Sequence, residues 1–188
     1  VADVAVHDSL LFAEYVHLRY SSLWHPKLGG EPFSWAYQTV AGVLWDETPV
    51  LIDSDRLVAM VVAAAERQFG ERGISFSTSS VLGILHWLRA LRPRCVLASR
   101  FYRRTACPPE ALLLALEAIH ASRRHSLDLP IHLDKATRLL ACRMVLIDEE
   151  AFEETLAQAE DAFGLIRRCS DGVDVVLMRS SLCPGLVA

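Results

Sequence analysis

Residues 108–180 are punctuated so regularly that few arrangements of elements remain open to them. Pro108-Pro109 opens the apolar run "EALLLALEAIHASRR", and proline suits a first helical turn because no intrahelical N–H is needed there. "LDLPIHL" reads as a short strand around 129–133, and Asp134 precedes "KATRLLACR" as an N-cap. Asp148 caps "EEAFEETLAQAEDAF", a helix over 149–163 with acids in its first turn and Gly164 as its stop. Two β-branched runs, 165–169 and 173–178, then flank Ser170-Asp171-Gly172, a tight-turn sequence that predicts a hairpin. The predicted order is helix, strand, helix, helix, strand, turn, strand.

Over residues 108–180 this order and spacing resembles the winged-helix fold. In a DNA-reading winged helix the third helix enters the major groove, beside a phosphate charge every ~1.7 Å of duplex axis. Here that helix carries Glu149, Glu150, Glu153, Glu154, Glu160 and Asp161 and no base. Glu149 and Glu150 favour the positive helix N-terminus by ~0.3–1 kcal/mol each, which accounts for the first turn only. The remaining acids would repel a duplex. Glu149, Glu150, Glu153 and Glu154 are therefore expected to face a protein partner, or the unit to pack inside the same chain, while Arg167, Arg168 and Arg179 leave the wing less excluded from DNA.

The first half is predicted from caps and stripes as well. Residues 8–20 and 34–45 read as helices separated by the chain-breaking "HPKLGGEP". Eight of the fifteen aromatic residues lie in positions 1–46, as the core of an N-terminal unit. "DSDRLVAMVVAAAERQFG" carries an Asp53 or Ser54 cap and a closing Gly70. "STSSVLGILHWLRALRP" places Val81, Ile84, Leu85, Leu88 and Leu91 on one stripe, and "RCVLASRFYRR" reads as extended. The middle of the chain is thus compatible with a second winged-helix-like unit, although the stretch joining its two helices is long for a helix-turn-helix. No internal repeat is visible. The expected fold is mainly α with short β-hairpins: residues 1–107 form a helical N-terminal unit with an aromatic core, and 108–188 the winged-helix-like unit.

Charge is distributed unevenly. Residues 85–125 hold eight arginines against Glu110 and Glu117, although the whole chain has a formal net charge of −4. Six arginines (Arg89, Arg92, Arg94, Arg100, Arg103 and Arg104) fall within "RALRPRCVLASRFYRR", which has no acid. Arginine grips phosphate with a fixed fork and stacks on bases, so this segment is the candidate DNA contact. The competing readings have Arg89 and Arg92 cover the solvent face of their helix while the others pair with the acidic C-terminal half, or have the segment dock an acidic protein partner. The scarcity of lysine (Lys27 and Lys135 only) weighs against the DNA reading, because a GC-rich genome produces the same arginine bias.

Motifs that carry chemistry are missing. The sequence holds no nucleophile elbow, P-loop, GxGxxG or HExxH. Seven histidines and five cysteines show no close metal-ligand pairs; His120 and His125 straddle a helix end rather than share a face. Asp53 and Asp134 are better explained as caps than as nuclease fragments, so no catalytic residue, metal or cofactor is expected. An odd cysteine count without CxxC predicts reduced thiols in a cytoplasmic protein. No signal peptide is visible, and the longest apolar run, Leu57–Ala65, is far short of the ~20 residues of a membrane span. A mean hydropathy of +0.26 predicts burial against a partner, with a homodimer the simplest form. The expected function is a non-catalytic, nucleic-acid-associated subunit or regulator that uses the arginine segment for DNA and the acidic helix for protein. The alternative is a pure protein–protein adaptor in a larger chromosome- or defence-associated complex.

Overall fold

Polar caps and buried stripes place most of the helices where the sequence predicts them. The computed structural model describes residues 9–22, 24–25, 29–70, 75–123, 129–163, 166–170 and 173–177. Helix α1 (Ser9–Ser22) is followed by a two-residue ladder of β1 (Trp24–His25) and β2 (Gly29–Gly30), then by α2 (Pro32–Asp46) and β3 (Val50–Leu51). Helix α3 (Ser54–Phe69) starts where the Asp53 carboxylate accepts from the Asp55 and Arg56 N–H groups, at 3.0 and 3.1 Å. It ends at Gly70, whose φ of 70° is left-handed and cheap for glycine. Helix α4 (Thr78–Ala90) is capped by Ser77, and its stripe Val81, Ile84, Leu85 and Leu88 is fully buried.

After α4 come β4 (Val96–Leu97) and β5 (Arg100–Phe101), then α5 (Pro109–Ser122), β6 (Ile131–His132), α6 (Lys135–Val145) and α7 (Glu149–Phe163). Strands β7 (Ile166–Ser170) and β8 (Val173–Leu177) complete the described chain. The Asp134 carboxylate caps α6 by accepting from Thr137 N–H at 2.7 Å. The predicted turn residues Asp171 and Gly172 lie outside the described residues, but β7 and β8 pair antiparallel over five residues each.

The absence of a sequence repeat conceals a topological one. Elements α2–β3–α3–α4–β4–β5 run helix, strand, helix, helix, strand, strand, and α5–β6–α6–α7–β7–β8 repeat that order. The sheets match too: β5 lies between β3 and β4, and β8 between β6 and β7, with every neighbouring pair antiparallel. In the first unit the extended segment is a two-stranded hairpin. Its turn contains Ala98 at φ 52°, where neither Gly nor Asn announced a turn.

The two units share one apolar core. Helix α1 packs on α2 and α4 of the first unit and on α5 and α6 of the second. The segment leaving the first hairpin is stitched to the α6–α7 connection. Arg104 N–H donates to the Leu146 carbonyl at 2.7 Å, Asp148 N–H donates to the Arg104 carbonyl at 2.9 Å, and Arg104 and Ile147 form a parallel bridge. The Trp45 indole N–H adds a bond to the Ile147 carbonyl at 3.0 Å.

Candidate nucleic-acid interface

The six arginines of residues 89–104 divide into two groups. Arg89, in the last turn of α4, and Arg94, just beyond it, are exposed and have no acidic partner among the described residues. Arg92 is also exposed, and its Nη1 donates to the carbonyls of Arg89, Ala90 and Leu91 at 3.0, 3.0 and 2.9 Å. It thereby completes the negative end of α4. Register explains Arg100. Val50, Phe101 and Val96 form one cross-strand row that turns inward, with Phe101 fully buried. The adjacent row, Leu51, Arg100 and Leu97, therefore turns outward and is exposed on all three strands. Tyr102 N–H donates to the Cys95 carbonyl at 2.8 Å and the Cys95 thiol donates to the Leu88 carbonyl at 3.1 Å. The arginine-bearing segment thus runs directly between the end of α4 and the hairpin.

Arg103 and Arg104 correct the sequence reading. Arg103 lies 3.9 Å above the Trp45 ring centroid, donates through Nε to the Trp45 carbonyl at 3.1 Å, and sits 3.9 Å from Asp148. It serves the joint between the units. Arg104 is 1% exposed and cannot reach a phosphate. Its Nη1 donates to Glu14 Oε2 at 3.0 Å and to the Val145 carbonyl at 3.1 Å, and its Nη2 reaches Glu14 Oε1 and the Arg92 carbonyl. One guanidinium therefore ties α1, the end of α4 and the end of α6. Nothing in an arginine-rich stretch marks this role, because the partner carboxylate is 90 residues away.

Beside that pair, Tyr37 O–H donates to His17 Nδ1 and His17 Nε2–H donates to the Met144 carbonyl, both at 2.7 Å. Burial first, and Arg104 second, push the imidazole down to about 3, so it is neutral with its proton on Nε2. The ring is fully buried, which makes it a tie between α1, α2 and α6 rather than a base for a substrate. Cys95, Cys107 and Cys142 are free and buried, and burial raises each thiol to about 12, leaving no thiolate for chemistry.

The predicted protein-contact residues Glu149, Glu150, Glu153 and Glu154 are all exposed on α7. Glu153 also pairs with Arg138, whose guanidinium reaches Asp174 on β8 at 2.7 Å and lies 5.2 Å from the Phe152 ring centroid. Glu153 thus helps hold α6, α7 and β8 together. Arg167 and Arg168 lie on β7, while Arg179 is outside the described residues.

A cavity of about 600 Å³ opens between α1, α2, the end of α3, α5 and α6. Several of its polar side chains are engaged within the protein: Gln38 bonds the Ser21 carbonyl at 2.8 Å, Gln68 accepts from Trp35 at 3.0 Å, and Arg143 pairs with Asp46 at 2.7 Å. Among the described residues no group of three His, Cys, Asp or Glu side chains is placed to hold a metal ion, and no helix is long and apolar enough to cross a membrane. No family model, curated protein or solved structure matches the chain.

Proposed function

We propose that this protein is a non-catalytic, DNA-associated subunit or regulator made of two winged-helix units. Its first unit contacts DNA through exposed arginines, and its second presents an acidic helix to a protein partner. The repeated element order and strand order support the winged-helix reading of both units. The observation that carries the DNA assignment is local. Residues 72–109 contain no acid, and Arg89, Arg92, Arg94 and Arg100 within them are exposed at one end of the first unit. An uncompensated arginine cluster is the electrostatic footprint of phosphate binding.

Binding of a 30-base-pair duplex, followed by fluorescence anisotropy across a salt series, tests the proposal. Affinity should fall with salt at a log–log slope of about −0.9 per neutralised phosphate. Replacing Arg89, Arg94 and Arg100 with Ala should flatten that slope by up to about 2.7 units. Absence of binding at low salt, or an unchanged slope in the triple variant, would overturn the DNA assignment.

The adaptor reading is favoured by α7, where Glu149, Glu150 and Glu154 face solvent in a row that a basic protein surface would complement. The outward row Leu51–Arg100–Leu97 offers a second contact, since Leu51 is 59% and Leu97 49% exposed. A homodimer seated on that row would explain the high mean hydropathy.

A further inference from the structure

Both units contribute walls to the cavity between them. Its residues recur at helical spacing: Trp35, Gln38, Thr39 and Gly42 on α2 of the first unit, and one face each of α5 and α6 of the second. A volume of about 600 Å³ falls within the roughly 300–1,000 Å³ of small-molecule sites, which favour such junctions between helices.

Gly42 shows how a charge is seated on that wall. It is buried in the interior of α2, where glycine is less favourable than alanine. A Cβ there would collide with Arg143 Nη2 and lie 2.9 Å from Nε and 3.0 Å from Cζ, so the missing methyl admits the guanidinium against the helix backbone. Nη2 reaches Asp46, one turn further along α2, at 2.7 Å. Nη1 has no hydrogen-bond partner among the described residues. The pair is 44% and 51% exposed, so water weakens it and an anion can share the guanidinium. No other charged side chain lines the cavity among the described residues. Ser22, Thr39 and Ser122 donate their hydroxyl protons to the Arg19, Trp35 and Ile119 carbonyls, at 3.2, 2.9 and 2.7 Å, and keep lone pairs only.

We propose that this cavity binds a small monocarboxylic acid with an apolar body, its carboxylate on Arg143 and its body against Trp35, Ile119 and Met144. The helix ends favour a single charge over a phosphate dianion. Helices α1 and α5 finish on the wall at Ser22 and Ser122, and a helix C-terminus carries about half a negative charge. Hydroxyls that can only accept add to that repulsion. An acid bound there bridges the two units and gives a regulator something to respond to, independently of the DNA assignment above.

Calorimetric titration of the full chain with 4-phenylbutyrate and with hexanoate, each beside its neutral amide, tests the proposal. At least one acid should bind one to one with a Kd below about 1 mM, and its amide at least about tenfold more weakly. Arg143→Gln should bring the acid down to the affinity of the amide and leave the amide unchanged. Ala118→Phe, which fills the cavity from α5, should abolish binding of both. Melting temperatures verify that the variants fold, and the comparison of acid with amide on wild type decides the matter whether or not they do. Saturable binding of neither acid, equal affinity for acid and amide, a preference that survives Arg143→Gln, or undiminished binding in folded Ala118→Phe would each overturn the proposal.

Discussion

The two units are built alike inside and unlike outside. In α4 the inward stripe is Val, Ile, Leu and Leu, and in α7 it is Phe, Thr, Leu and Ala, all at the same spacing and all nearly inaccessible. Outward, the same two helices carry Ser, Leu, Gly and Arg in one case and four glutamates in the other. A buried position must fill space without an unsatisfied polar group, so only its volume and polarity are constrained. An exposed position is free of that demand and follows whatever the surface must meet. Divergence of charge between equivalent faces is therefore where the function of a duplicated architecture should be sought.

The largest expected effect comes from breaking the link between the units. Arg104→Met leaves the Glu14 carboxylate buried and uncompensated and removes bonds to the Val145 and Arg92 carbonyls. It should cost about 3–5 kcal/mol in urea denaturation. Because both units draw on one core, the loss should appear as a shift of one cooperative transition. Two separate transitions, only one of them moved, would show that the units fold independently.

Acid should act on the same link. His17 has a folded value of about 3 against an ordinary 6.5, so between those values the unfolded chain binds the extra proton. Stability therefore falls as pH drops from about 6.5 toward 3, by up to about 1.4 kcal/mol per pH unit. Glu14 opposes this just above 4.5, because desolvation raises its carboxyl and the folded chain then holds the extra proton there, despite the lowering influence of Arg104. The net decline should thus be steepest below about pH 4.5, where Asp134, held below its usual 3.8 by Thr137, also begins to lose its contribution. Urea midpoints from pH 4 to 7 for wild type and His17→Gln measure it, and the variant should show the flatter profile. Parallel profiles would remove His17 from the account.

The smallest effect tests how alike the units are. Asp53 and Asp134 cap the second helix of the first and second unit respectively. Each change to Ala should cost about 1 kcal/mol in the same denaturation experiment. A loss at one site and none at the other would show that equivalent helices start for different reasons.

The Asp53 and Asp134 caps, the proline start of α5 and the buried stripe of α4 were legible in the sequence, because each depends on neighbours a few residues away. The repeat was not, since it is carried by positions that share burial but not identity, such as Val81 and Phe152. The first hairpin was hidden by strands of two residues and by a turn through Ala98, a residue that seldom adopts positive φ. The arginine segment was visible as a candidate, but its division was not. Arg100 faces outward because of strand register, and Arg104 faces inward because of a carboxylate on α1. Both causes lie far along the chain.

The seam between Arg104 and residues 146–148 has a consequence for synthesis. A ribosome releases the first unit well before Val145, which accepts from the Arg104 side chain and lies 41 residues further on. Until that stretch emerges, the Arg104 amide, the Trp45 indole and the His17 ring all lack their acceptors at Leu146, Ile147 and Met144. The nascent first unit is therefore an unfinished surface whose polar groups must stay hydrated. Its maturation is timed by translation of its twin.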